Sequence, residues 1–368
     1  MAQVFVQHGQ RATRGVSLLE VLFAILITSI GLMGAIAIFP AAMMQARKGA
    51  QADSTTHGGI TSIHAFDAEG MRRPDRWLYH NGTAYTQVAT PNGSIAYCID
   101  PRFIAANPND ANAHKFPYNS SSSVMGRVTL NNGILNSTTP MSKLMADLHF
   151  EISDDLSFDR FRDGVVVRDN TLQAASIFVR DGSNNALKRQ TEGHMTWMAT
   201  LSPKLERMPN GSTFEDRYVL SVVVFYDRPG DLKADTTGDR LATEWELRIN
   251  NTGFYDGGVN GGSVQLTDNS TSLTAEERAR RLDIRSGQWV MLRSSTSAGS
   301  PAKSMPLCRW YRVVDADEPD TSTNTVDVTL SGSDWETAQT SPANTADVVV
   351  MQGVVAVFEK TIKLEPKQ

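Results

Sequence analysis

The stretch Arg14-Gly15-Val16-Ser17-Leu18-Leu19-Glu20-Val21-Leu22 opens the run that decides how this chain is read. From Val16 to Phe39 there are 24 residues and a single charge, Glu20. At about 1.5 Å per helical residue the run reaches about 36 Å, more than a hydrocarbon core of about 30 Å, so it can cross a membrane with some tilt. Leu, Ile, Ala, Phe and Met fill it, and Gly31 and Gly34 leave small positions where another helix can approach. A carboxylate one turn inside such a run costs on the order of 2 to 3 kcal/mol at membrane depth, less near the interface, and asks for a partner.

A cleavable secretory signal competes for the same residues. It too begins with basic groups, here Arg11 and Arg14, and Ala35-Ile36-Ala37 offers a small-x-small cleavage site. Against it, the apolar run exceeds the roughly 7 to 15 residues of a signal core, and Glu20 lies within it.

The order Arg14-Gly15-Val16-Ser17-Leu18-Leu19-Glu20 followed at once by an apolar helix resembles the prepilin cleavage and methylation motif of type IV pilins and type II secretion pseudopilins. The resemblance implies cleavage between Gly15 and Val16 by a membrane prepilin peptidase, N-methylation of Val16, and an assembly role for Glu20, the fifth residue of the mature chain. In a filament the apolar helices would bundle, and the amine of Val16 on a neighbouring subunit is the natural counter-charge for Glu20. The partners implied are the peptidase and methylase, other pilins or pseudopilins and an inner-membrane assembly platform. The resemblance also implies an inner-membrane, single-pass protein with a cytoplasmic amino terminus and a head in the periplasm or at the cell surface in a filament. Positive-inside counting is nearly balanced, with Arg11 and Arg14 before the span and Arg47 and Lys48 after it. Losing the leader would lower the net charge of −5 by two.

The chain then divides into a leader over 1–15, a transmembrane helix over 16–39, a helical stalk over 40–74 and a head over 75–368. Pro40 kinks or ends a helix where it would leave the bilayer. Beyond it the sequence stays helix-prone to about Met71, with Gly58-Gly59 as a bend and an apolar stripe of Ile60, Ile63 and Phe66. The head reads as antiparallel and β-rich, giving an α+β, pilin-like fold class. Tyr218–Tyr226 is the clearest strand, β-branched and aromatic throughout its centre. Further strands are expected over 194–200, 287–293, 309–314 and 326–330, and over 347–364 with a break near Gly353. Short helices are expected over 142–150 and 274–282, where Thr274 and Glu277 have capping-box spacing. Polar stretches at 107–123, 229–239, 250–272, 294–306 and 315–324 read as surface loops. A head of this length suggests two subdomains with a boundary near 227–250.

Composition excludes several function classes. The chain has 368 residues, 40% hydrophobic and 20% charged, a globular average that argues against wholesale disorder or several membrane spans. No Lys/Arg-rich block supplies a footprint for nucleic acid. The seven histidines form no metal-ligand spacing, and GxSxG and Walker A patterns are absent, so nothing points to an enzyme or a cofactor. Asp231, Asp235 and Asp239 recur in a Gly-containing loop and suit Ca²⁺ as hard oxygen ligands, as does the group Asp315, Asp317, Glu318 and Asp320; neither fits an EF-hand, and solvated turns explain both. Cys98 and Cys308 are either one long-range disulfide or two buried thiols.

A minor or accessory pilin is the expected function, since a large head would crowd a filament built from many copies and Val16 stands where the family most often has Phe. A minor pseudopilin of type II secretion, and a membrane-anchored adhesin or carbohydrate-binding β domain, are the alternatives.

Overall fold

The computed structural model describes residues 18–88, 91, 93, 95–108, 110–118, 120, 124–134, 137–152, 178–180, 187–189, 195–204, 216–228, 243–250, 261–270, 273–298, 303–333, 335 and 347–366. Two compact units divide the chain, Met1–Ser54 and Thr55–Gln368. Helix α1, Leu18–Ala68, begins in the first and ends in the second. It continues past Pro40, in line with the helix-prone sequence beyond the proline, and stops three residues short of Met71.

In the larger unit one turn of 3-10 helix at Pro74–Arg76 is followed by β1 (Trp77–His80), β2 (Tyr85–Gln87), β3 (Ala96–Ile99), α2 (Pro101–Ala106), β4 (Met125–Leu130) and α3 (Lys143–Phe150). Then come β5 (Phe178–Arg180), β6 (Leu187–Arg189), β7 (Met195–Pro203), β8 (Arg217–Tyr226), β9 (Glu244–Ile249), β10 (Gly261–Thr267) and α4 (Ala275–Leu282). The last elements are β11 (Trp289–Ala298), β12 (Lys303–Ala316), β13 (Thr325–Gly332), β14 (Asp347–Met351) and β15 (Val354–Lys363). The protein is thus one long apolar helix and a β-rich remainder. Strand β10 takes 261–267 of the stretch 250–272, and β11 and β12 take 294–298 and 303–306 of the stretch 294–306, where the polar sequence reads as loops. Their residues pair in antiparallel ladders, so backbone hydrogen bonding overrides side-chain polarity there.

Seven strands form a sheet in the order β15-β8-β7-β3-β4-β1-β2, and six close a barrel in the order β10-β13-β12-β11-β14-β9. Only β3 and β4 are parallel within the sheet, and α2 supplies the crossover such a pair requires. Asp100 caps α2 by accepting the Phe103 N–H, and Pro101 takes the first helical position, where no N–H is needed.

The sheet is covered on both faces, which explains why β8 lacks an alternating pattern. On β7 and β8, Trp197, Ala199, Leu201, Leu220, Val222 and Val224 point into a core that includes Phe66, Trp77 and Phe150. Their neighbours Met198, Val223 and Phe225 point into another, shared with Met291, Trp310, Val349 and Met351 of the barrel. Strands buried on both sides read as continuous apolar runs. The barrel encloses its own core around Leu247, Leu266, Leu292, Tyr311, Leu330 and Val350.

The barrel strands lie, in sequence, between β8 and β15, which pair with each other. The two connections meet: the Tyr226 N–H donates to the Gly353 carbonyl at 2.8 Å, and the Gln352 N–H to the Thr243 carbonyl at 3.0 Å. The barrel is therefore set into the turn of a β8–β15 hairpin. Gly353 makes the re-entry, with φ of 79° and room for no Cβ, which would stand 2.8 Å from the Tyr226 carbonyl.

Helix α1 is continuous through Gly58 and Gly59, which serve as contact points. On the Thr55–Ala68 part of the helix, Thr55, Gly58, Gly59, Ser62 and Phe66 make the buried stripe. The missing side chains let the helix backbone lie directly against Ile152 and Phe358.

Candidate functional site

The smaller unit is helical from Leu18 and carries its apolar residues in the open. Leu18, Ile27, Ile30, Met33, Ile38 and Phe39 are all exposed, and none of the apolar 18-residue window is buried. A helix apolar on all sides, and exposed along its described residues, matches a lipid or helix-bundle environment in place of water. The helix is long and apolar enough to span a membrane. Inside it Thr28 donates its hydroxyl to the Ala24 carbonyl at 2.7 Å, so its polar atom is satisfied without water. Gly31 and Gly34 have open space where a Cβ would stand.

Glu20 lies near the amino-terminal end of the described part of α1 and is the one acidic residue there. Gly15 and Val16, the processing positions, lie outside the described residues, as do Asp231, Asp235 and Asp239. Cys98 and Cys308 are not joined: both are free, buried thiols in the core shared by sheet and barrel. Burial raises both, Cys308 to about 12, so neither thiolate forms near neutral pH.

The second acidic group sits at one end of the barrel. Asp317, Glu318, Asp320 and Asp327 line a polar cavity of about 560 Å³ with Asn250 and Gln265. Asp320 is already engaged by its own turn, accepting from the Ser322 N–H and hydroxyl and the Thr323 hydroxyl at 2.6 to 2.8 Å. The Ser322 hydroxyl is foremost in holding its carboxyl down, to about 2. Among the described residues no three His, Cys, Asp or Glu side chains are grouped to hold a metal ion.

What composition and spacing did not disclose is a buried ionic chain between sheet and barrel. The Arg127 guanidinium, fully buried on β4, lies 3.8 Å above the Phe103 ring and donates to Glu244 of β9 at 2.7 and 2.5 Å. Glu244 also accepts the Tyr118 N–H at 2.7 Å. Asp100 accepts a bidentate pair from Arg228 at 3.1 and 2.7 Å and stands 3.6 Å from Arg127. Burial alone would raise the Asp100 carboxyl, but Arg228 and Arg127 outweigh it and hold the group below the usual carboxylate range. Glu244 and Arg127 are 117 residues apart. The only local hint was an arginine inside the otherwise apolar run Val124–Leu130.

His114 is the one strongly shifted histidine among the described residues. Burial lowers it to about 4, while its Nδ1 donates to the Arg127 carbonyl at 3.2 Å. Its ring stacks on His80 with centroids 5.9 Å apart. His80 accepts the Gly82 N–H on Nδ1 at 3.2 Å.

No protein-family model and no curated protein matches the chain.

Proposed function

We propose that this chain is a minor or accessory pilin-like subunit. It would be held in the inner membrane by one span, cut after Gly15, methylated at Val16 and drawn into a filament by its amino-terminal helix. One observation carries this reading: the order Arg14-Gly15-Val16-Ser17-Leu18-Leu19-Glu20 stands directly before an apolar helix exposed on every side. Bare apolar surface of that extent is stable only in lipid or against other helices, which are the two environments a pilin-type helix occupies in turn. Glu20 would then set axial register by pairing with the neighbouring amine, since a carboxylate in that setting needs a counter-charge. The leader would remain in the cytoplasm and the head would lie outside it.

Amino-terminal sequencing and intact mass of the protein from its native membranes test this. A chain beginning at methylated Val16 is expected. A chain beginning near Ile38 would mean an ordinary exported protein, and an intact Met1 a plain anchor; either refutes the reading. Glu20→Ala should leave membrane insertion intact and abolish incorporation into filaments.

The barrel supports a subsidiary role in binding. It is inserted at a hairpin and ends in an open polar cavity, as suits a displayed recognition module more than an assembly element. Among the described residues its lining is Asn, Gln, Thr, Asp and Glu side chains with one Val, a set that suits polar ligands.

A further inference from the structure

The β1–β2 hairpin lies at one edge of the seven-stranded sheet and turns through Asn81-Gly82-Thr83-Ala84, all four exposed. The Asn81 N–H donates to the Ala84 carbonyl at 3.0 Å, and Gly82 takes a φ of 99°, a conformation that costs glycine little. Asn81 Oδ1 accepts two backbone N–H groups, those of Thr83 and Ala84, each at 3.0 Å. The Gly82 N–H is directed elsewhere, to His80 Nδ1 at 3.2 Å. Neighbouring rings hold that imidazole: Tyr85 meets it edge-on, with centroids 5.1 Å apart, and His114 stacks on it.

Residues 80–84 thus fill three roles of an acyl transfer. The Gly82 nitrogen directly follows the side-chain amide it could attack, and ring closure between them gives a five-membered imide. His80 presents a lone pair to the proton on that nitrogen, as a general base must. Two backbone N–H groups already rest on the oxygen that would become negative, at the roughly 2.7–3.1 Å of an oxyanion hole.

We propose that Asn81-Gly82 is a self-modifying turn, in which His80 acts as general base and Asn81 is converted to aspartate or isoaspartate. The Gly82 nitrogen bonds to Asn81 Cγ as its proton passes to His80 Nδ1, and the carbonyl electron pair moves onto Oδ1, facing the Thr83 and Ala84 N–H groups. When the carbonyl re-forms, the bond from Cγ to the side-chain nitrogen breaks. That nitrogen takes the proton from the imidazolium and leaves as ammonia, so His80 is regenerated and a succinimide remains. Water then opens the ring at either carbonyl. Both products carry a new carboxylate at the sheet edge, and the isoaspartyl product also routes the main chain through Cβ, which lengthens the hairpin.

The chain holds its own comparison. Asn132-Gly133 is the same dipeptide, also exposed, and Gly133 likewise has a positive φ, of 89°. There the Gly133 N–H donates to Asn131 Oδ1 at 3.2 Å, an amide oxygen that cannot serve as a base, and the Ile134 N–H donates to Asn132 Oδ1 at 3.2 Å. Exposure and glycine are common to both sites; the imidazole and the paired donors distinguish Asn81.

The test is to age the full chain in detergent near neutral pH and follow conversion at both sites by peptide mapping with isoaspartate detection. Native Asn81 should convert at least about tenfold faster than Asn132, the lower range for a positioned base. His80→Phe keeps a ring beside Tyr85 and His114 but no lone pair, and should remove most of that excess while leaving Asn132 unchanged. Asn81 converting no faster than Asn132, or equally fast in His80→Phe, overturns the proposal. Should the variant not fold, wild type aged in concentrated urea decides: unfolding disperses His80 and the two donors, so the excess should vanish, and an excess that persists in urea overturns the proposal as well. None of these outcomes depends on whether the chain enters a filament.

Discussion

A methyl group on Gly59 would collide with the head. An ideal Cβ there stands 2.1, 2.4 and 2.6 Å from Cε2, Cδ2 and Cζ of Phe358, against the 3.5 to 4.0 Å of a relaxed carbon contact. The ring must therefore retreat by about 1.5 Å. It has little room, because β15 is fixed to β8 by a ladder running from Val354 to Lys363, and Phe358 packs against the core around Phe66 and Trp197. Overpacking of this kind costs about 1–3 kcal/mol, while replacing glycine by alanine within a helix returns about 0.5–1 kcal/mol. The net expectation for Gly59→Ala is a loss of about 1–2 kcal/mol, a fall of several degrees in Tm for a head of this size. Gly58→Ala should cost less, since its nearest atom, at 2.7 Å, is the rotatable Cδ1 of Ile152. The assay is thermal unfolding of the full chain in detergent, read by tryptophan fluorescence. Phe358→Leu provides the control: in that background the Gly59→Ala penalty should shrink, giving a measurable coupling between the two sites. A Gly59→Ala protein as stable as wild type, or an equal penalty in both backgrounds, would refute close helix-to-strand approach as the reason for the glycine.

Other expectations concern the sheet–barrel joint and the barrel itself. Glu244→Gln should destabilise the head by about 3–5 kcal/mol because it leaves Arg127 buried without its main counter-charge, and Arg127→Met with Glu244→Leu should recover most of the loss in denaturant melts. Asp100, held below the ordinary carboxylate range, should contribute stability that is present at neutral pH and disappears as pH falls through its lowered value, a loss that Asp100→Asn would remove from the acid-unfolding curve. Cys98 and Cys308 should resist thiol reagents in the native protein and react together on unfolding; fast labelling of either under native conditions would contradict a closed joint. Thr274→Ala should cost about 1 kcal/mol, because Thr274 and Glu277 satisfy each other's backbone N–H at the start of α4.

Local pattern was enough for part of this molecule. The apolar run after Gly15 announces a helix that can span a membrane, because a single charge in 24 residues leaves few other uses for it. Composition likewise marked β7, β8, β11 to β15, α3 and α4, where β-branched runs or a capping residue act over a few positions. Strands β3 and β4 escaped because each is short and β3 is buried on both faces, so neither shows a period. Strand β10, with two glycines and a serine, exists because β13 and β9 pair with it. Tertiary structure alone decided the rest: that β8 and β15 are one hairpin opened by a barrel, that Gly58 and Gly59 are contact points, that the cysteines stay apart, and that Arg127 finds Glu244. Each of these depends on which distant residues meet. Hydrogen-bonding edges, close packing and buried charge select their partners in space, and nothing within a turn or a strand of sequence records that selection.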